Sequence, residues 1–92
     1  MLKVEFESRF KKDYKRCLKR GLKNDDFKTV LEYLVREEEL PSKYRDHILI
    51  NTKEFHNVRE CHINPDWLLI YRVEKEILTL KLIRTGSHSD LF

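Results

Sequence analysis

The apolar residues of this 92-residue chain change their spacing once, and that change limits the folds open to it. Phe27, Val30, Leu31, Leu34 and Val35 recur at the intervals of one helix face, and Phe10, Tyr14, Cys17 and Leu18 do the same upstream. Past Pro41 and a short apolar stretch, Ile48-Leu49-Ile50, the pattern becomes strand-like: Phe55 to Ile63, Trp67 to Val73 and Ile77 to Arg84. Asn64-Pro65-Asp66 and Glu74-Lys75 turn these segments into one another, and a polar turn is expected around Asn51-Thr52-Lys53-Glu54. At the start, Leu2, Val4 and Phe6 alternate with Lys3, Glu5 and Glu7, a half-buried strand. Ser8 is the expected N-cap of the first helix and Gly21 its C′ residue. Asn24 is the expected N-cap of the second, which should stop by Leu40 because Pro41 disfavours helical dihedrals in the residue before it. The order is β-α-α-β-β-β with an irregular tail from Thr85 to Phe92. It predicts an α+β fold, a helical hairpin packed on an antiparallel sheet.

Composition closes other routes. Hydrophobic residues make up 40 % and charged residues 38 %, enough for one thin core, so residues 1–92 read as one domain. No apolar run reaches the roughly 18 residues of a membrane span, and Met1-Leu2-Lys3-Val4-Glu5 does not read as a signal peptide. Cys17 and Cys61 lie far apart with no CxxC pair, which favours a reduced, cytoplasmic protein over a disulfide scaffold.

The formal charge of +3 hides an asymmetry: residues 1–24 hold nine basic and three acidic side chains, whereas 25–92 hold ten and thirteen. At about 100° per residue, Lys12, Arg16, Lys19, Arg20 and Lys23 share one helix face. Such a stripe can track a phosphate backbone by releasing counterions, or it is a solvated surface face. A membrane-surface helix fits less well, because its narrow apolar face is needed for the core.

The turn positions carry a geometric expectation. A turn centred on Pro65 sets His62 beside Trp67, and a turn at Glu74-Lys75 returns Arg84 opposite Asp66, with His88 four residues on. His62, Asp66, Trp67, Arg84 and His88 should therefore converge at one end of the sheet. Each has an ordinary reading: surface histidine, turn aspartate, core tryptophan, structural ion pair. Their convergence is what favours chemistry. Imidazoles with an arginine and no nucleophilic Ser or Cys suit metal-free RNA cleavage. One group takes the 2′-OH proton, another protonates the leaving 5′ oxygen, and a guanidinium steadies the phosphorane. An aromatic face can stack a base. A zinc site from His47, His56, Cys61 and His62 is the rival, but Cys61 and His62 are adjacent on a strand and point to opposite faces. For the same reason Cys61 is a poor nucleophile for this cluster, and His56 reads as surface. The run Glu37-Glu38-Glu39 opposes the dipole of the second helix.

These residues resemble the YafQ branch of the RelE/ParE superfamily, toxins of bacterial type II toxin–antitoxin modules. The resemblance rests on Tyr44-Arg45-Asp46-His47, on His62-Ile63-Asn64-Pro65-Asp66-Trp67, and on Arg84-Thr85-Gly86-Ser87-His88-Ser89-Asp90-Leu91-Phe92, in order and spacing. It implies a RelE-like toxin that enters the A site of the 70S ribosome and cuts translated mRNA, without a cofactor or metal. It implies catalysis by His47, His62, Asp66 and His88 with Arg84, and message contacts by Trp67 and Phe92. It places 16S rRNA contacts on the stripe Lys12, Arg16, Lys19, Arg20 and Lys23, and it implies a cognate antitoxin of the DinJ/RelB kind. The stretch Leu49 to Arg59 departs from the family pattern: it has no glycine, and Phe55 stands where a tryptophan is usual. Positive φ there falls to Asn51 or Asn57. A non-cleaving translation blocker and a ParE-like gyrase poison are the competing functions. Convergent imidazoles speak against the latter.

Overall fold

The computed structural model describes residues 1–50 and 55–92, so the turn expected around Asn51-Thr52-Lys53-Glu54 lies outside the described residues. Along the chain run β1 (Lys3–Phe6), α1 (Ser8–Lys19), α2 (Asn24–Val35), β2 (His47–Ile48), β3 (Arg59–Asn64), β4 (Trp67–Glu74), β5 (Thr79–Gly86) and α3 (His88–Leu91). The strands form one sheet in the order β1-β5-β4-β3-β2. The α+β class holds, with two corrections. The sheet is mixed, because β1 pairs in parallel with β5, from Lys3↔Thr79 to Phe6↔Leu82, while the other pairs are antiparallel. The tail is not irregular: β5 runs to Gly86, and α3 closes the chain.

Both N-caps fall one residue before the expected ones. Glu7 and Lys23 are the N-caps, neither with a side-chain capping bond, so Ser8 and Asn24 are the first helical residues. Gly21 is the C′ residue of α1, at φ 92°, with Gly21 N–H donating to Leu18 and Leu22 N–H to Cys17. That is a Schellman closure. The second helix closes the same way at Glu37 (φ 58°), Glu37 N–H donating to Leu34 and Glu38 N–H to Tyr33. It therefore stops at Val35, well short of Leu40, and the acidic run lies beyond its end.

The helices cover one face of the sheet. Phe10 and Cys17 of α1 and Phe27, Val30 and Leu34 of α2 pack with Trp67, Leu69, Tyr71, Leu80 and Leu82. Phe10, Tyr14 and Phe27 meet ring to ring. Leu18, expected on the apolar face, is exposed, and Asp13 is buried in its stead. On the opposite face Leu68 and Ile70 join Phe55, Val58 and Leu91 in a smaller cluster. Trp67 to Tyr71 are all buried, as expected of a central strand covered on both faces. Among the described residues, no helix is long and apolar enough to cross a membrane.

Candidate active site

The β3–β4 hairpin sets the frame. Pro65 and Asp66 form its tip between Asn64 and Trp67, and Asp66 N–H donates to Asn64 Oδ1. A register shift at Ile63 then places His62 opposite Leu68, one position from the expected Trp67. Alternation puts Glu60 and His62 on the face they share with Leu68 and Ile70, away from Cys61. β2 pairs His47 with Glu60, which brings the first histidine onto that face.

Three of the four histidines meet here. The ring of His62 lies 6.5 Å from that of His47 and 5.7 Å from that of His88. His62 is the central and most enclosed ring, with 13 % of its side chain exposed against 57 % for His88. His88 opens α3, where its N–H and Nδ1 both face Asp66 Oδ1, at 3.3 and 3.2 Å. A carboxylate only accepts, so the neutral His88 ring carries its proton on Nδ1 and leaves Nε2 open. That contact is the main reason the Asp66 carboxyl is held below its ordinary range. His47 is set the same way: Nδ1 is 2.6 Å from the Arg45 carbonyl, which also only accepts. Arg45 reaches this position with a left-handed backbone, φ 48°. The loop behind it is held by Asp46, which accepts from Arg59 Nη2 at 3.0 Å and from the Tyr71 hydroxyl.

Glu60 was not legible as a site residue. Its buried carboxylate stands 3.5 Å from His47 Nε2 and 3.7 Å from His62 Nε2, between the two rings. The available signal was its place two residues before His62, hence on the same face of a strand. Lys43, Arg45, His62 and Pro65 line a cavity of about 160 Å³, so two basic residues share a cavity with the central histidine.

Two expected members do not join the cluster. Trp67 is fully buried, its Nε1 donating to Thr85 Oγ1 at 2.8 Å and its ring 6.4 Å from Tyr14, so it presents no face to a base. The β4–β5 connection runs over Lys75–Ile77 and Leu78, longer than the turn expected at Glu74-Lys75, and a bulge in β5 between Leu82 and Arg84 adds one more position, so Arg84 lies opposite Ile70 instead of Asp66. Its guanidinium is buried and bonded to Asp13 of α1, Nε to Oδ2 at 2.6 Å and Nη2 to Oδ1 at 3.2 Å. Phe92 is exposed and meets Phe55 edge to face at 6.0 Å. Asn57 takes the positive φ expected in the glycine-free loop, at 53°. On α1, Lys12 and Lys19 are exposed, as is Lys23 just beyond it, but Arg16 and Arg20 turn toward Asp13 and Asp90.

Cys61 is fully buried, its thiol pushed far up by burial, and His56 is exposed. Among the described residues, no three His, Cys, Asp or Glu side chains stand in metal-holding geometry. The arrangement offers acid–base groups in a row across an open face.

Comparison with known proteins agrees with this fold. A structure described as a metal-bound toxin from Helicobacter pylori superposes with a TM-score of 0.91 at 41 % identity, covering 100 % of both chains. The Escherichia coli DinJ-YafQ complex superposes with a TM-score of 0.88 at 32 % identity, over 100 % of this chain and 99 % of that one. The mRNA interferase toxin YafQ of Escherichia coli K12 is 32 % identical over 90 residues, 97 % of this chain and 94 % of that protein. The family described as the bacterial toxin of type II toxin-antitoxin system, YafQ, matches residues 2–92. The chain therefore belongs to the YafQ family of type II toxin–antitoxin toxins.

Proposed function

We propose that this protein is an mRNA interferase toxin that cleaves translated mRNA in the ribosomal A site by acid–base chemistry of its own side chains. The observation that carries the reading is the row His47, His62, His88, with Glu60 between the first two rings and Asp66 on the third. One imidazole takes the proton of the ribose 2′-OH as that oxygen attacks the adjacent phosphate, and a second, protonated, delivers a proton to the leaving 5′ oxygen. The products are a 2′,3′-cyclic phosphate and a 5′-hydroxyl. Asp66 keeps the His88 ring in the tautomer that leaves Nε2 toward substrate. With Arg84 held on Asp13, charge on the phosphorane falls to the protonated imidazole and to Arg45 and Lys43 beside His62. Phe92 offers the exposed aromatic face for a message base. Lys12, Lys19 and Lys23 supply the 16S rRNA contacts. In the cytoplasm a cognate antitoxin, as DinJ is for YafQ in Escherichia coli, holds the toxin inactive.

The test is primer extension on an mRNA engaged by 70S ribosomes, wild type beside His88→Ala. The expected result is new in-frame ends with wild type alone, and a bell-shaped pH dependence, since one imidazole must be neutral while another is protonated. Arrest without new ends in both proteins identifies a translation blocker and removes the histidines' assigned role. Toxin stripped of zinc by chelation before the assay should cleave as before, and loss of cleavage would overturn the metal-free mechanism.

A further inference from the structure

We propose that Arg20, with Arg16 beside it, is a positioning residue for His88 acting through Asp90, and is not a free contact for RNA. The inference rests on the reading of His88 as catalytic only for its consequence in turnover.

The turn that presents His88 is short. Four residues, His88–Leu91, cannot hold a helix by their own backbone bonds, because nucleation is unfavourable and almost nothing propagates from it. What holds this one is Asp90. Its N–H donates to Ser87 Oγ at 3.2 Å, and its Oδ2 accepts from Ser87 N–H at 2.9 Å, a reciprocal cap. The same carboxylate receives both terminal nitrogens of Arg20, Nη1 at 2.6 Å and Nη2 at 3.1 Å. The Asp90 carboxyl is accordingly held far below its ordinary range, with the Arg20 bond as the largest cause.

The pair continues inward. Arg16 Nη2 lies 3.9 Å from Asp90 Oδ2 and 3.0 Å from Asp13 Oδ1, and Asp13 holds the buried Arg84. Charges of alternating sign thus run Arg84, Asp13, Arg16, Asp90, Arg20, from β5 through α1 to the last turn. Asp90 also sits directly over Gly86: a Cβ there would come within 2.8 Å of its Oδ2 and 2.9 Å of its Cβ. A glycine at 86 lets the carboxylate approach, and α1 then clamps it. His88 is two residues from Asp90, so any slip of the turn changes its place relative to Asp66 and His62. Arg20 is exposed, as are Lys12 and Lys19 on the same helix, but an arginine with both terminal nitrogens on a carboxylate has little left for a phosphate.

The experiment uses the full chain and two readouts. In the isolated protein, NMR follows the His88 ring resonances through a pH titration and the amide exchange of residues 88–92, for wild type, Arg20→Ala, Arg20→Lys, Asp90→Asn and Lys19→Ala. Arg20→Ala and Asp90→Asn are expected to shift the His88 ring resonances and speed amide exchange in the turn. Arg20→Lys should restore part of both, and Lys19→Ala should change neither. On ribosomes, Arg20→Ala should lower kcat about tenfold with KM little changed, whereas Lys19→Ala should raise KM and leave kcat. Unmoved His88 resonances in both Arg20→Ala and Asp90→Asn would overturn the proposal, as would an Arg20→Ala defect confined to KM. Should His88→Ala itself cleave normally, the catalytic reading falls, and the NMR readout still decides the clamp.

Discussion

Replacing Asp13 with alanine should be among the most damaging single changes in this protein, although Asp13 lies in the most basic stretch of the chain. The carboxylate is 3 % exposed and receives Arg84 Nε at 2.6 Å, Arg84 Nη2 at 3.2 Å and the Thr85 N–H at 3.2 Å. Arg16 reaches it from the surface at 3.0 Å and can turn to water when it is gone. Arg84 is 9 % exposed and cannot follow. Breaking a buried pair by removing one partner costs about 3–5 kcal/mol, and the orphaned Thr85 N–H about 1–3 kcal/mol more, the two overlapping in one network. A loss of about 4 kcal/mol is expected, a large part of the roughly 5–15 kcal/mol a domain holds. At about 4–8 °C per kcal/mol for a chain of this size, Tm falls by about 15–30 °C. Trp67, the one tryptophan and fully buried, reports unfolding in urea by fluorescence. The double variant Asp13→Leu, Arg84→Leu removes both charges and should lie within about 2 kcal/mol of wild type. A loss below about 1 kcal/mol in Asp13→Ala would refute the reasoning, because Arg84 would then reach solvent without cost.

Further outcomes follow from single observations. Glu37 closes α2 with φ 58°, a conformation that costs an L residue about 1–2 kcal/mol, so Glu37→Gly should raise stability by about 1 kcal/mol in urea unfolding. Glu60→Gln keeps the shape between His47 and His62 but removes the charge. Cleavage should fall by about ten- to a hundredfold while the far-UV spectrum is unchanged. The Asp66 carboxyl is depressed mainly by His88, so the contribution of this contact is present above the ordinary carboxylate value of 3.8 and is lost as pH falls through the lowered one. Carboxyl NMR should show the Asp66 midpoint rising toward that value in His88→Ala. Cys17 and Cys61 are buried with thiols pushed upward, so alkylating reagents should modify them only on unfolding, and Cys61→Ser should still cleave mRNA.

Much of the site was legible before any coordinate. The hairpin tip at Pro65-Asp66 follows from local turn chemistry, and with it the return of the chain from His62 to within one position of its expected partner. His88 was placed at this end of the sheet by the turn geometry and His47 by motif resemblance, and the structure sets both rings beside His62. Trp67 and Arg84 show where that reasoning stops. The unbroken apolar run Trp67 to Tyr71 marks a strand buried on both faces, and the convergence argument placed Trp67 in the site against that signal. Arg84 was displaced mostly by a β4–β5 connection longer than the expected Glu74-Lys75 turn, and by one further position by a bulge that leaves no mark in the local pattern. Glu60 and Asp90 are ordinary acids in sequence, and their meaning comes from neighbours on other elements.

What the sequence determined by itself is what short-range physics controls: the periods of the helices and strands, the stops at Gly21 and near Pro65, and the excess positive charge of the first helix. Those depend on dihedral preference and on the burial of one face, which a few adjacent residues decide. The tertiary structure alone decided that β1 joins β5 in parallel and that Asp13 and Arg84, 71 positions apart, share a buried bond. It also decided that Arg20 clasps Asp90 across 70 positions. Charges have no period, and in an extended chain each of these groups is solvated equally well. Only when packing excludes water from α1 and the end of β5 does one carboxylate become worth more to an arginine than the solvent it gives up.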